Sequence, residues 1–501
     1  MRTSGILLPI TSLPSKYGVG TLGKSAYDFI DFLEEAGQTY WQILPLGPTG
    51  FGDSPYQSFS TFAGNPYMID LEMLIEDGLL TEADCAGYNY GDNEEEVDYG
   101  RLHGCRYKVL RKAFEKAQPT LEKDDDYQLF MKENADWVKD YALFRAVKDY
   151  FGGKFWQLWP EDIKLRQPAG VKVYQMLLKQ DIAFYCFLEY TFLKQYLKMK
   201  KYANKKGIQI LGDIPIYVSI DSADAWAQPE MFYFDKDLVP TKVAGVPPDA
   251  FSETGQLWGN PLYDWEAHKK EDYAWWISRV RHSFKLFDLV RIDHFRGFDE
   301  YYAIPYGETT AMKGKWEPGP GIELFDALKK ALGKELKVDK LPIVAEDLGV
   351  LTDSVYELLD ATGYPGMKVL QFAFEGGPAN VYLPYNHVKN SVVYTGTHDN
   401  DTLQGWKDSI SDELKEHVMD FIGLEDEEGW NTALIRMALM SSCDTAIIPM
   451  QDYLELGTEA RINEPSTTGM NWRWRLKQDW LEENPKLAKK ICHLTEMYNR
   501  K

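Results

Sequence analysis

Short apolar runs rich in β-branched residues recur along the chain, each closed by glycine, proline or a polar cluster; they cover 6–13, 40–46, 208–218, 286–295, 341–348, 367–374, 391–397 and 445–451. Runs of this length, bounded by turn residues, read as strands buried on both faces. Between them the hydrophobic period lengthens. In 24–37, Ala26, Phe29, Ile30 and Leu33 recur at i, i+3, i+4 and i+7, and the pattern stops at Gly37, a residue suited to end a helix. Eight buried strands interleaved with helices predict an α/β fold, a (β/α)8 TIM barrel, in which reactive groups stand at the C-terminal ends of strands.

The spacing of the runs is uneven. About 150 residues separate the second from the third, and they are rich in charged helical pattern. This predicts a large, mainly helical insertion after strand 2, at 53–205, with 1–52 and 206–501 forming the barrel. A second excursion, 219–281, carries breakers with embedded aromatics, among them Phe251, Gln256 and Trp258, and predicts a lid loop over 245–261 after strand 3. The acidic runs 94–96 and 124–126 lack the alternating ligands and glycine of a calcium loop and read as solvated surface.

Several runs end in polar clusters, as a barrel mouth requires: Gly212-Asp213, Arg291-Ile292-Asp293-His294, Glu346-Asp347 and His398-Asp399-Asn400-Asp401. Period-two alternation places Arg291 and Asp293 on one face of their strand, where the arginine holds the carboxylate ionised, and Val290 and Ile292 on the other. On the next strand two acids follow an apolar stretch, and one of them, Glu346 or Asp347, faces the mouth. Two carboxylates from neighbouring strand ends suit a nucleophile and a general acid acting on one sugar.

Composition narrows the partners. A net charge of −22 disfavours nucleic acid and anionic membranes, whose affinity comes largely from Lys and Arg. The five cysteines are scattered with no C-x-x-C pair, which fits reduced thiols in a cytoplasmic protein. Neither a signal-peptide core nor an apolar run of membrane-spanning length is expected. With 15 Trp, 31 Tyr and 24 Phe, the chain has ample flat faces for the C–H side of sugar rings.

The four strand-end clusters resemble the motif regions of the α-amylase superfamily. Together with Ser54-Pro55-Tyr56-Gln57-Ser58, Phe62-Ala63-Gly64-Asn65-Pro66 and Trp258-Gly259-Asn260-Pro261, they are similar over nearly the whole chain to the amylomaltases, or disproportionating enzymes, which are 4-α-glucanotransferases. The resemblance implies a retaining transfer of α-1,4-glucan segments between donor and acceptor sugars, with Asp293 as nucleophile and Glu346 as acid/base. It also implies that Asp399 and His398 bind hydroxyls of the transferred sugar, with Asp213 and His294 completing that subsite and Arg291 supporting Asp293. Tyr56, Gln256 and Trp258 become acceptor-side or lid contacts. No cofactor is implied.

The sequence departs from the family pattern twice. Tyr217-Val218 stands where superfamily members usually place an Asn-His pair whose Asn helps bind calcium, so no structural metal is expected. Asn463-Glu464-Pro465-Ser466-Thr467 stands where amylomaltases commonly show Asn-x-Pro-Gly-Thr, so Asn463 is retained while the glycine-dependent turn is expected to differ. The rival readings are an α-glucan hydrolase with the same acids, a glucan-binding scaffold with vestigial ones, and a metal-dependent barrel hydrolase, which would need clustered histidines that the first strand lacks.

Overall fold

The structure, a computed structural model, describes residues 2–50, 52–248, 252–349 and 351–501. Eight parallel strands form its central sheet: β1 (Thr3–Leu7), β2 (Tyr40–Gln42), β3 (Gln209–Ile214), β4 (Leu289–Ile292), β5 (Ile343–Ala345), β6 (Gly366–Val369), β7 (Ser391–Tyr394) and β8 (Thr445–Pro449). Except for β5 and β6, neighbours in chain order pair with each other, and β8 pairs with β1, Gly5 lying opposite Ile447. Between β5 and β6 the wall is joined differently. The Ala345 N–H donates to the Pro365 carbonyl at 2.9 Å, and the Asp347 carboxylate accepts the Met367 N–H at 2.5 Å. A side chain at position 366 would collide with that carboxylate, 2.3 Å from an added Cβ, so glycine there lets Asp347 cross the seam. This is the nearly closed (β/α)8 barrel expected from the runs.

Consecutive residues such as Ile447 and Ile448 are fully buried, as strands covered on both faces require. Each such side chain contributes about 1.5–3 kcal/mol by leaving water. Strand limits differ from the apolar runs. β1 starts at Thr3 and stops at Leu7 because Pro9, which has no N–H, hands the chain to a short 3-10 turn, Ile10–Ser12. The helix Lys24–Glu35 forms as its spacing predicts, with Gly37 at φ 68°.

The stretch 53–205 is helical, with Tyr99–Leu121, Val138–Tyr150 and Lys179–Lys205 its longest elements. The last of these also serves the barrel layer: Tyr202 donates to Asp31 on the helix Lys24–Glu35 at 2.6 Å, and its chain leads directly into β3. The excursion after β3 is more ordered than a lid loop. Lys242–Val246 and Gln256–Pro261 pair antiparallel, and Glu300–Pro305 and Lys315–Pro318 extend them to a four-stranded sheet. Gly259, at φ 78°, and Pro261 disguise the second strand as a loop in the sequence. Phe251 and Asp249 lie outside the described residues. Among the described residues no helix is long and apolar enough to cross a membrane.

Candidate active site

Arg291 lies in the barrel interior, 2% exposed, with Val290 and Ile292 buried on the opposite face of β4. Its guanidinium spans two acids, Nη1 lying 2.7 Å from Asp213 Oδ2 on β3 and Nη2 lying 3.0 Å from Asp293 Oδ1. The register that sets Asp213 beside Arg291 makes this bridge possible. Burial raises the Asp293 carboxyl, and Arg291 opposes that rise.

After Asp293 the chain turns sharply. His294 takes φ 54°, a left-handed conformation costing a non-glycine residue about 1–3 kcal/mol. The turn aims its N–H at Glu346 Oε2, at 2.7 Å, while the Leu348 N–H donates to Oε1 at the same distance. Glu346 is therefore held beside the nucleophile candidate by the amide that follows it. Burial, and then the negative charge of Asp293, push the Glu346 carboxyl up to about 7. Of the two acids that end β5, Glu346 faces the mouth and Asp347 closes the wall.

A third group forms beyond β7. Asn400 Oδ1 accepts the Thr397 N–H at 2.9 Å, folding the loop so that His398 and Asp399 project together. Asn463 Nδ2 donates to Asp399 Oδ1 at 2.6 Å, and His398 Nε2 is 3.4 Å from Asp399 Oδ2. The turn after Asn463 keeps the glycine-type geometry with a serine in it, since Ser466 sits at φ 67°. Tyr56 joins this group to the barrel: its hydroxyl donates to Asp213 Oδ2 at 2.9 Å and its ring stacks on His398, centroids 5.1 Å apart and planes 13° apart.

The hairpin strand Gln256–Pro261 covers the other side. Trp258 stands edge-on to His294, centroids 4.8 Å apart, and its Nε1 donates to Gln256 Oε1 at 3.1 Å. Gln57 Nε2 donates to Asn260 Oδ1 at 3.0 Å, tying this strand to the segment that carries Tyr56. Thus Tyr56, Asp213, Gln256, Trp258, Arg291, Asp293, His294, Glu346, His398, Asp399 and Asn463 fall into one connected set of contacts. Burial drives His294 down to about 3, so its imidazole is neutral. Three buried polar atoms of this set, Asp213 Oδ1, His294 Nε2 and His398 Nδ1, have no hydrogen-bond partner among the described residues. Such atoms are costly unless something pairs with them, and sugar hydroxyls are suited to do so.

Sequence reasoning missed three supports. Arg461 donates from Nη2 to the Asp399 carbonyl at 2.9 Å and from Nε to the Asn463 carbonyl at 2.8 Å. Asp452, pushed up to about 7 by burial, accepts the Thr395 hydroxyl at 2.6 Å and the Leu403 N–H at 2.8 Å, clamping both ends of the loop that holds Asp399. Trp472 packs against Tyr56 and His398. Arg461 and Trp472 lie away from any strand end, with no local signal to mark them, whereas Asp452 directly follows the apolar run 445–451 and carried the strand-end signal unread. Tyr217, at the position where a calcium-binding asparagine would stand, is buried and stacks on Tyr263, centroids 6.1 Å apart. Among the described residues, no three His, Cys, Asp or Glu side chains are grouped to hold a metal ion.

A family profile described as 4-alpha-glucanotransferase matches residues 8–481. The chain is 50% identical to the 4-alpha-glucanotransferase of Clostridium butyricum, over 98% of this chain and 99% of that one. It is 41% identical to the chloroplastic/amyloplastic 4-alpha-glucanotransferase of Solanum tuberosum, over all of this chain and 86% of that one. Among solved structures, the amylomaltase from Streptococcus agalactiae in complex with acarbose superposes with a TM-score of 0.94 at 41% identity, each chain covered completely.

Proposed function

The chain belongs to the 4-alpha-glucanotransferase family, and from that membership we propose that the cleft at the barrel mouth moves α-1,4-glucan segments between sugars by double displacement. Glu346 donates its proton to the oxygen of the leaving glucan while Asp293 attacks the anomeric carbon, giving a covalent glucosyl ester. Esterification removes the Asp293 charge, so Glu346, now a carboxylate, takes the proton of an acceptor hydroxyl as that oxygen displaces Asp293. Asp399, His398, Asp213 and His294 hold the transferred glucosyl unit, Asn463 orients Asp399, and Tyr56, Gln256 and Trp258 border the acceptor side. The protein acts in the cytoplasm.

The observation that carries this reading is the unequal treatment of the two acids. Arg291 pairs with Asp293 at 3.0 Å, whereas no described residue forms an ion pair with Glu346, which burial and then Asp293 raise further than the more distant Arg291 lowers it. That is the arrangement of an ionised nucleophile beside a protonated acid. Maltotriose is the test. Transfer yields glucose and a ladder of longer chains with a constant number of reducing ends, and Asp293→Asn abolishes it with the fold intact. Shorter sugars alone, with reducing ends rising in step, would make the protein a hydrolase instead.

A further inference from the structure

Six arginines are buried among the described residues, and four of them, Arg106, Arg145, Arg279 and Arg475, leave Nε without a hydrogen-bond partner. Arg291 does not. Its terminal nitrogens meet Asp213 and Asp293, and its Nε donates to the Met367 sulfur at 3.4 Å. Met367 is fully buried on β6, and no other contact of its side chain is polar.

The seam between β5 and β6 sets where that sulfur stands. The Asp347 carboxylate accepts the Met367 N–H at 2.5 Å, and its other oxygen lies 3.7 Å from Nζ of Lys368, the next residue. Alternation along β6 sends Lys368 to the wall and Met367 to the barrel interior. One buried acid thus fixes the backbone from which Met367 reaches Arg291.

We propose that Met367 is a positioning residue for the transfer reaction, holding Arg291 in line with Asp293 through both displacement steps. The proposal rests on the reading of the cleft as a glucan transferase. A thioether is neutral and accepts weakly, so it occupies Nε without drawing the cation away from Asp293, as a carboxylate would. The anchor matters because the pull on the guanidinium changes during the reaction. Once Asp293 is esterified its charge is gone, and Asp213 alone attracts the cation. With Nε held, Nη2 stays where the charge returns when the acceptor displaces Asp293.

Two substitutions separate this role from packing. Met367→Leu conserves volume and apolarity but removes the acceptor, whereas Met367→Gln keeps an acceptor at similar reach and buries a polar amide. Packing alone ranks leucine above glutamine; positioning of Arg291 ranks glutamine above leucine. On maltotriose, Met367→Leu is expected to lose about tenfold in kcat, the scale of one hydrogen bond to a charged group, and Met367→Gln no more than about threefold. KM stays near wild type in both, since every sugar-binding group is left in place. Burial raises Asp293 and Arg291 opposes it, while Asp213 and Asp399 add to the rise and His398 reduces it. Loosening Arg291 therefore also moves the acid limb of kcat/KM toward neutral pH in Met367→Leu. A folded Met367→Leu protein with wild-type kcat and acid limb, or one at least as fast as Met367→Gln, overturns the proposal. A wild type that fails to disproportionate maltotriose strikes the reading of the cleft instead. The contact then stands or falls on the Arg291 Nε proton, followed by nitrogen-15 NMR and assigned by its absence from Arg291→Met: its exchange with water should quicken in Met367→Leu, and an unchanged rate would remove Met367 as its acceptor.

Discussion

Arg291 is the shared partner of Asp213 and Asp293, contacting one at 2.7 Å and the other at 3.0 Å from different nitrogens of one planar group. A lysine supplies a single point charge and cannot span both acids. Arg291→Lys is expected to lower kcat by roughly 10²-fold or more, the scale of losing one preorganised electrostatic contact. Arg291→Met, which leaves the buried Asp213 carboxylate uncompensated, is expected to cost about 3–5 kcal/mol of stability. Denaturant unfolding of both variants checks the difference; an Arg291→Met protein as stable as wild type would rule out the bridge as a structural support.

The two acids set the pH response. In the proposed reaction Glu346 starts protonated, and its carboxyl is pushed up to about 7, so kcat/KM is expected to fall as pH rises through about 7. Asp293 must be ionised, and burial raises it too, so activity also falls on the acid side. Because the groups interact, the two limbs belong to the pair rather than to either residue. Initial rates on maltotriose across pH 4 to 9, in steps of about 0.5, give the profile; a flat profile between neutrality and pH 9 would exclude Glu346 as the acid.

Trp258 sits on an ordered strand and against His294, so its indole is a fixed wall of the cleft. A positioned acceptor gains about 7–11 kcal/mol of effective concentration over a free one, enough to compete with water. Trp258→Ala is expected to weaken acceptor binding and raise the share of hydrolysis, measured as new reducing ends per glucose released. An unchanged ratio would remove Trp258 from the acceptor side.

Ser466 holds φ 67°, where a side chain is disfavoured by about 1–2 kcal/mol. Ser466→Gly relieves that strain while loosening the unfolded chain, so the expected change is neutral to mildly stabilising, whereas Ser466→Val is expected to lose about 1–2 kcal/mol relative to Ser466→Gly. Melting curves of the pair decide it.

Tyr217 fills its position with a ring stacked on Tyr263. Exhaustive dialysis against a chelator is expected to leave melting temperature and transfer rate unchanged. A loss reversed by added calcium would show that a metal is bound elsewhere in the chain.

The barrel strands were legible because burial on both faces leaves an uninterrupted apolar run, as in Ile447-Ile448, and the strand-end acids were legible because charge at the end of such a run is costly without a use. The side sheet was not. Its strand Gln256–Pro261 contains Gly259, at φ 78°, and two of its six residues are breakers, so its pairing comes from neighbours distant in sequence. Arg461 could not be found, since it acts on a backbone carbonyl about 60 residues away and no local pattern encodes that reach, while for Asp452, an acid directly after the run 445–451, only its partner loop was hidden.

The seam between β5 and β6 gives the adjacent acids Glu346 and Asp347 opposite duties. Successive side chains in a strand point to opposite faces, so a slip of one residue would exchange the two, turning the cleft-facing acid into the wall and the wall's fastener into the cleft. Asp347, held by the Met367 N–H across a gap only Gly366 leaves open, admits one alignment of the neighbouring chains. The contact that closes the wall therefore also fixes which acid faces the mouth: with Asp347 on the Met367 N–H, Glu346 is the one turned into the cleft.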